Sequence, residues 1–211
     1  MLKKIASTIG QVAESAVGIV GIRVGTEEPA HTSRTLTDTV EIRRYEPRIA
    51  AQTTVDADEE QARSDGFRRL AGYIFGGNSD SQKVAMTAPV SQSSGESKKI
   101  AMTAPVSQAA DGDSWTIRFF MPSKWTMDTL PTPNDDRVSL VEVPAETVAV
   151  LRFSGSRGRE NVAPKMKELV DVLRANGIET LGEPMTWFYD PPWTLAPLRR
   201  NEVVVSVPEG S

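Results

Sequence analysis

Alternation of apolar and polar positions runs through most of this chain, and helical spacing replaces it in three stretches. Val40-Glu41-Ile42-Arg43-Arg44-Tyr45 alternates by side-chain type, and a period of two marks a strand with one buried face. Ile49-Ala50-Ala51-Gln52-Thr53-Thr54-Val55 resumes after Glu46-Pro47, so the two runs read as one long, bent strand. His31 to Leu36 reads as a short first strand. Trp115 to Met121, Val138 to Val143, Thr147 to Phe153, Met185 to Tyr189 and Glu202 to Val207 read as five more. Several of them stop at Pro122, Pro144 or Gly155, which punctuate strands. Lys124 to Asp136, with Pro131 and Pro133, reads as a long loop.

Spacings of three and four predict helices. Ala62, Gly66, Phe67, Leu70, Tyr73 and Ile74 lie between the capping acids of Asp56–Glu60 and the stop Gly76-Gly77-Asn78. A second helix, Asn161 to Asn176, carries Val162, Met166, Leu169, Val170 and Leu173 and ends at Gly177. Ile5, Ile9, Val12, Ala16 and Val20 predict an amphipathic helix at the start. The order strand, helix, strand, strand thus occurs twice, over residues 40–121 and 147–207. It predicts an α+β fold, two βαββ units forming a distorted antiparallel β-barrel flanked by two helices. Residues 1–30 form a helix and linker, and residues 31–211 form the domain. A groove is expected where the two halves meet.

One phrase is written twice. Lys83-Val84-Ala85-Met86-Thr87-Ala88-Pro89-Val90-Ser91-Gln92 returns as Lys99-Ile100-Ala101-Met102-Thr103-Ala104-Pro105-Val106-Ser107-Gln108. With Ser93–Ser97 as a turn, the copies read as an antiparallel hairpin, each Pro confined to an edge, bulge or strand end.

Composition removes most catalytic equipment. The chain of 211 residues has no cysteine and one histidine. That excludes disulfides, thiolate metal sites, a cysteine nucleophile, covalent haem attachment and a multi-histidine metal site. The net charge of -4 argues against nucleic acid, which needs a clustered basic face. Gln11 and Glu14 interrupt the apolar run that a signal peptide requires, which points to a cytoplasmic protein. A periplasmic or membrane-associated location stays open, with residues 1–25 docking on protein or on a lipid surface. Met86 and Met102 are thioether candidates for an iron ligand, though filling a core is their expected role. Gly155-Ser156-Arg157-Gly158 lacks the phosphate-loop pattern and reads as a loop and cap. Trp187, Phe188, Tyr189 and Trp193 beside Pro191-Pro192 form either a rigid corner or a flat wall for a planar ligand. Glu41, Glu142, Glu183 and Glu202 are expected in solvent.

Val40–Tyr45, Tyr73-Ile74-Phe75-Gly76-Gly77-Asn78 and Lys83–Val90 are followed in order by Phe120-Met121-Pro122, Phe153-Ser154-Gly155, Tyr189-Asp190-Pro191-Pro192 and Arg199-Arg200-Asn201-Glu202-Val203. From about residue 38 to residue 207 the chain resembles the SOUL haem-binding protein family, and the doubled phrase resembles its bacterial members. The resemblance implies a distorted barrel with two helices and non-covalent binding of b-type haem or another tetrapyrrole without a reaction. It implies a shallow site walled by Arg63, Ser64, Phe67 and Ala71 on the first helix and by Trp193, Thr194 and Leu195 on the late loop. It assigns no metal ligand, since the position held by histidine in some members is Arg44. Two other classes stay open. One is a GyrI-like small-molecule binder or hydrolase using Glu183 or Glu202 in the groove. The other is a scaffold or membrane-surface interaction protein.

Overall fold

The structure is a computed structural model that describes residues 26–94, 114–191 and 193–211. The predicted helix within residues 1–25 and the second copy of the repeated phrase lie outside the described residues.

Nine strands make one curled antiparallel sheet: β1 (His31–Thr35), β2 (Val40–Tyr45), β3 (Arg48–Asp56), β4 (Val90–Ser94), β5 (Ser114–Phe120), β6 (Ser139–Val143), β7 (Glu146–Phe153), β8 (Met185–Phe188) and β9 (Asn201–Ser206). Helices α1 (Glu59–Ile74) and α2 (Arg159–Ala175) pack on one face. The strand order is β1-β2-β7-β9-β8-β4-β5-β3-β6. Leaving β1 aside, it is symmetric about the β4–β8 seam. This is the predicted α+β fold of two related units, its distorted antiparallel barrel taking the form of a curled half-barrel.

The predicted long strand over residues 40–55 is two strands in opposite halves. β2 pairs with β7, Val40 opposite Leu151 and Tyr45 opposite Glu146. β3 pairs with β5 and β6, Ala50 opposite both Phe120 and Val141. The duplicated unit therefore starts at Arg48, not Val40. Pro47 has no N–H to give a ladder, and the sequence around it reads the same whether the strand bends or changes partner.

The predicted hairpin between the two copies also gives way. Both edges of β4 are taken, since Val90 stands opposite Phe119 of β5 and Phe188 of β8. The rest of the first copy forms no strand of its own, and Pro89 immediately precedes β4. Met86, expected in the core, is exposed. Outside a regular strand its direction follows no alternation.

α1 starts where Asp58 Oδ1 accepts from the Glu60 and Gln61 amides at 3.1 and 3.0 Å, satisfying two of the donors that a helix leaves open. Its buried face, Ala62, Gly66, Leu70, Tyr73 and Ile74, meets Val55, Ile117 and Phe119. Gly76, with φ of +111°, lets the chain turn away after the helix. α2 sets Val162, Leu169 and Leu173 on Ile42, Leu151, Val203 and Val205. The opposite face of the sheet gathers Tyr45, Val148, Val150, Trp187 and Val204. There the Arg48 guanidinium carbon lies 4.1 Å from the Tyr45 ring centre and 4.4 Å from that of Phe120.

Candidate functional site

A groove of about 930 Å³ lies where the two halves meet, between the start of α1 and the flank of α2. β4 contributes Gln92, β5 contributes Trp115 and β8 contributes Thr186. Val162, Met166 and Val170 follow at intervals of four along α2, which puts them on one stripe, and all three line the groove. With Trp115 they make its apolar wall.

Elsewhere the groove is charged, two arginines standing among the carboxylates of Asp58, Glu59, Glu60 and Glu160. Arg63 of α1 and Arg157, from the loop before α2, both line it. Their guanidinium carbons lie 5.5 and 5.0 Å from the Phe188 ring centre. Arg63 Nη1 donates to Gln92 Oε1 and to the Arg157 carbonyl, both at 3.5 Å. Arg157 Nη2 donates to the Asp190 carbonyl. Burial, then the charges of Arg199 and Arg63, pull the Arg157 guanidinium down to about 10. Burial also lowers Arg63, against Glu59 and Glu60. The sequence reading took residues 155–158 as a loop and cap, which they are. It missed Arg157 because its partners come from α1 and β8.

Of the seven residues implied by resemblance, Arg63 lines this groove and the other six do not. Ser64 is exposed on α1. Phe67 packs edge-on against Phe119 at 5.3 Å, and Ala71 is buried. Thr194 is 1% exposed and lies inside a turn, where its carbonyl accepts from Arg199 Nε at 2.7 Å. Trp193 and Leu195 are 59% and 55% exposed.

The aromatic cluster is not one wall. Neighbours on a strand face opposite ways. Phe188 sits beneath the groove arginines, while Trp187 and Tyr189 join the cluster on the other sheet face.

Glu202 is not in solvent as expected. It is 0% exposed and accepts from Arg43, Arg200 and Tyr189. These donors keep it ionised and engaged, which leaves it no proton to trade with a ligand. Glu183 is exposed at the groove. His31 lies on the edge strand β1, 4.9 Å from the Tyr45 ring. Among the described residues no group of three or more His, Cys, Asp or Glu could hold a metal ion.

Comparison with known proteins bears on family and fold. A family profile described as SOUL heme-binding protein matches residues 26–206. Heme-binding protein 2 of Mus musculus and that of Homo sapiens are each 30% identical over 138 residues, 65% of this chain. The match spans 62% of the length of these relatives. Among solved structures, the EcmrR C-terminal domain aligns with a TM-score of 0.57 at 10% identity, over 84% of this chain and 98% of that one. A hydrolase from Listeria innocua aligns with a TM-score of 0.53 at 12% identity, over 81% and 92%. At such identities the likeness is one of fold.

Proposed function

The chain belongs to the SOUL heme-binding protein family, and from that premise we propose that it binds haem or a related tetrapyrrole without a covalent bond, as a carrier or buffer rather than an enzyme. The groove supports this reading. Its volume of about 930 Å³ is of the size that holds a large organic ligand. Trp115, Val162, Met166 and Val170 suit the face of a macrocycle, and Arg63 suits a propionate. Bound haem supplies a redox-active, Lewis-acidic iron; the chain's part is to seat the macrocycle and keep water from its face. Among the described residues no imidazole or thiolate lines the groove, and Met166 is its one thioether. Affinity then rests on the porphyrin face and its carboxylates. Iron-free protoporphyrin is expected to bind as well as hemin.

Parallel absorbance titrations with hemin and protoporphyrin test this. A saturable shift of the main porphyrin band with both supports the reading, and none with either overturns it.

The exposure of Trp193 and Leu195 favours a second seat for the same ligand. There Trp193 and Leu195 would cover the macrocycle and the resemblance sets Arg63 and Ser64 of α1 opposite them, while Phe67, Ala71 and Thr194 are taken up in packing.

A further inference from the structure

We infer that the groove selects ligands carrying a free carboxylate, and that Arg157, assisted by Arg63, is the clamp that reads it. This rests on the tetrapyrrole reading and specifies which members of that class are held.

Two guanidiniums share one ring, at 5.0 and 5.5 Å from the Phe188 centre. Like charges so placed, in a half-buried setting, repel each other unless an anion joins them. Arg199 adds a third positive charge that acts on Arg157. Arg157 uses Nη2 on the Asp190 carbonyl, while its Nε is buried and makes no hydrogen bond. A buried donor without a partner is rare enough to need a reason. A carboxylate meeting the guanidinium edge would satisfy it.

The nearby acids act on the two guanidiniums through their charge, Asp190 on Arg157 and Glu59 and Glu60 on Arg63, but none of them fills the Arg157 Nε. Asp190 Oδ2 accepts from the Arg200 amide at 2.6 Å. Glu160 accepts from the Ser156 hydroxyl at 2.9 Å. Glu59 forms an ion pair with Arg63 at 3.8 Å without a hydrogen-bond distance, and Glu60 acts on Arg63 through its charge. Because Arg63 and Arg157 both open on the groove, a carboxylate gripped there leaves the body of its ligand lying along Val162, Met166 and Val170.

The test compares protoporphyrin with its dimethyl ester, which keeps the macrocycle and removes both negative charges. The wild-type chain is expected to bind the ester at least about tenfold more weakly, a difference of about 1.4 kcal/mol. Arg157→Ala should abolish that preference by lowering protoporphyrin affinity toward that of the ester, with far-UV circular dichroism confirming that the variant is folded. Arg157→Lys should restore only part of it, because a point charge lacks the planar fork. Arg68→Ala, an exposed position on α1, should change nothing. Equal binding of acid and ester, or a preference that survives Arg157→Ala, overturns the clamp and leaves the tetrapyrrole reading standing. Failure of both porphyrins to bind overturns that reading, and the clamp with it.

Discussion

Arg43 grips Glu202 with both prongs of its guanidinium, Nη1 to Oε2 at 2.8 Å and Nη2 to Oε1 at 2.9 Å, although both side chains are buried. Tyr189 adds its hydroxyl at 2.6 Å and Arg200 its Nε at 2.9 Å. Burial pushes the Glu202 carboxyl up, but Arg43, then Arg200 and Tyr189, outweigh it and hold the group below its ordinary 4.5. A carboxyl lowered by folding contributes stability above its unfolded value and loses that contribution as pH falls through its folded value. Stability should therefore decline once pH drops below about 4.5. Glu202→Gln should cost about 3 kcal/mol near neutral pH, because it strands Arg43 in the interior. It should also flatten the acid limb. Urea unfolding at neutral and acid pH measures both.

Gly66 is where α1 comes nearest the sheet. A Cβ there would lie 2.8 Å from Ile117 side-chain atoms. Alanine gains about 1 kcal/mol of helix propensity over glycine, while overpacking a closed core costs about 1–3 kcal/mol. The second effect wins because the clash includes Cβ of Ile117, which a rotamer change does not move away. Gly66→Ala should thus lower the thermal midpoint. Adding Ile117→Val, which removes one clashing methyl, should recover part of the loss.

Asp58 caps α1 through two backbone amides. Asp58→Ala should cost about 1 kcal/mol. Asp58→Asn, whose side-chain oxygen still accepts, should cost much less. Denaturant midpoints at one pH distinguish the two.

Val170 and Leu195 separate the two seats for a tetrapyrrole. Val170 is half-buried on the groove stripe, and Leu195 stands out from the late loop. If the ligand lies between the helices, Val170→Asp should weaken porphyrin binding about tenfold or more, a loss of about 1.4 kcal/mol, and Leu195→Asp should not. The reverse pattern would place the ligand on the loop.

Periodicity carried the element plan a long way. Alternation located β2, β5, β7 and β9 within a residue or two, and helical spacing with Asp58 and the Gly76 stop bounded α1. These signals are local, and so are the forces behind them. Whether Val40–Tyr45 continues into Arg48–Asp56 or crosses to another half is settled by pairings more than one hundred residues away for β2, and nothing beside Pro47 encodes them. The same limit hid the charged interior. Glu202 lies in an alternating strand like any surface glutamate, and Arg43, from β2, is the distant partner that, with Tyr189 and Arg200, makes its burial tolerable. Arg157 was legible as part of a cap but not as a neighbour of Arg63 and Phe188, which come from separate elements.

The crossing at Glu46-Pro47 has a sequel. β2 precedes the first unit in the chain yet lies on β7 of the second, while β6 closes on β3 of its own half, so the second half is bordered by a strand that the first half lends. The second half expressed alone would lack the strand its partner lends and keep β7 as an open ladder edge. A chain nicked at Pro144-Ala145, between β6 and β7, should nevertheless stay together without its covalent link and come apart in a single step.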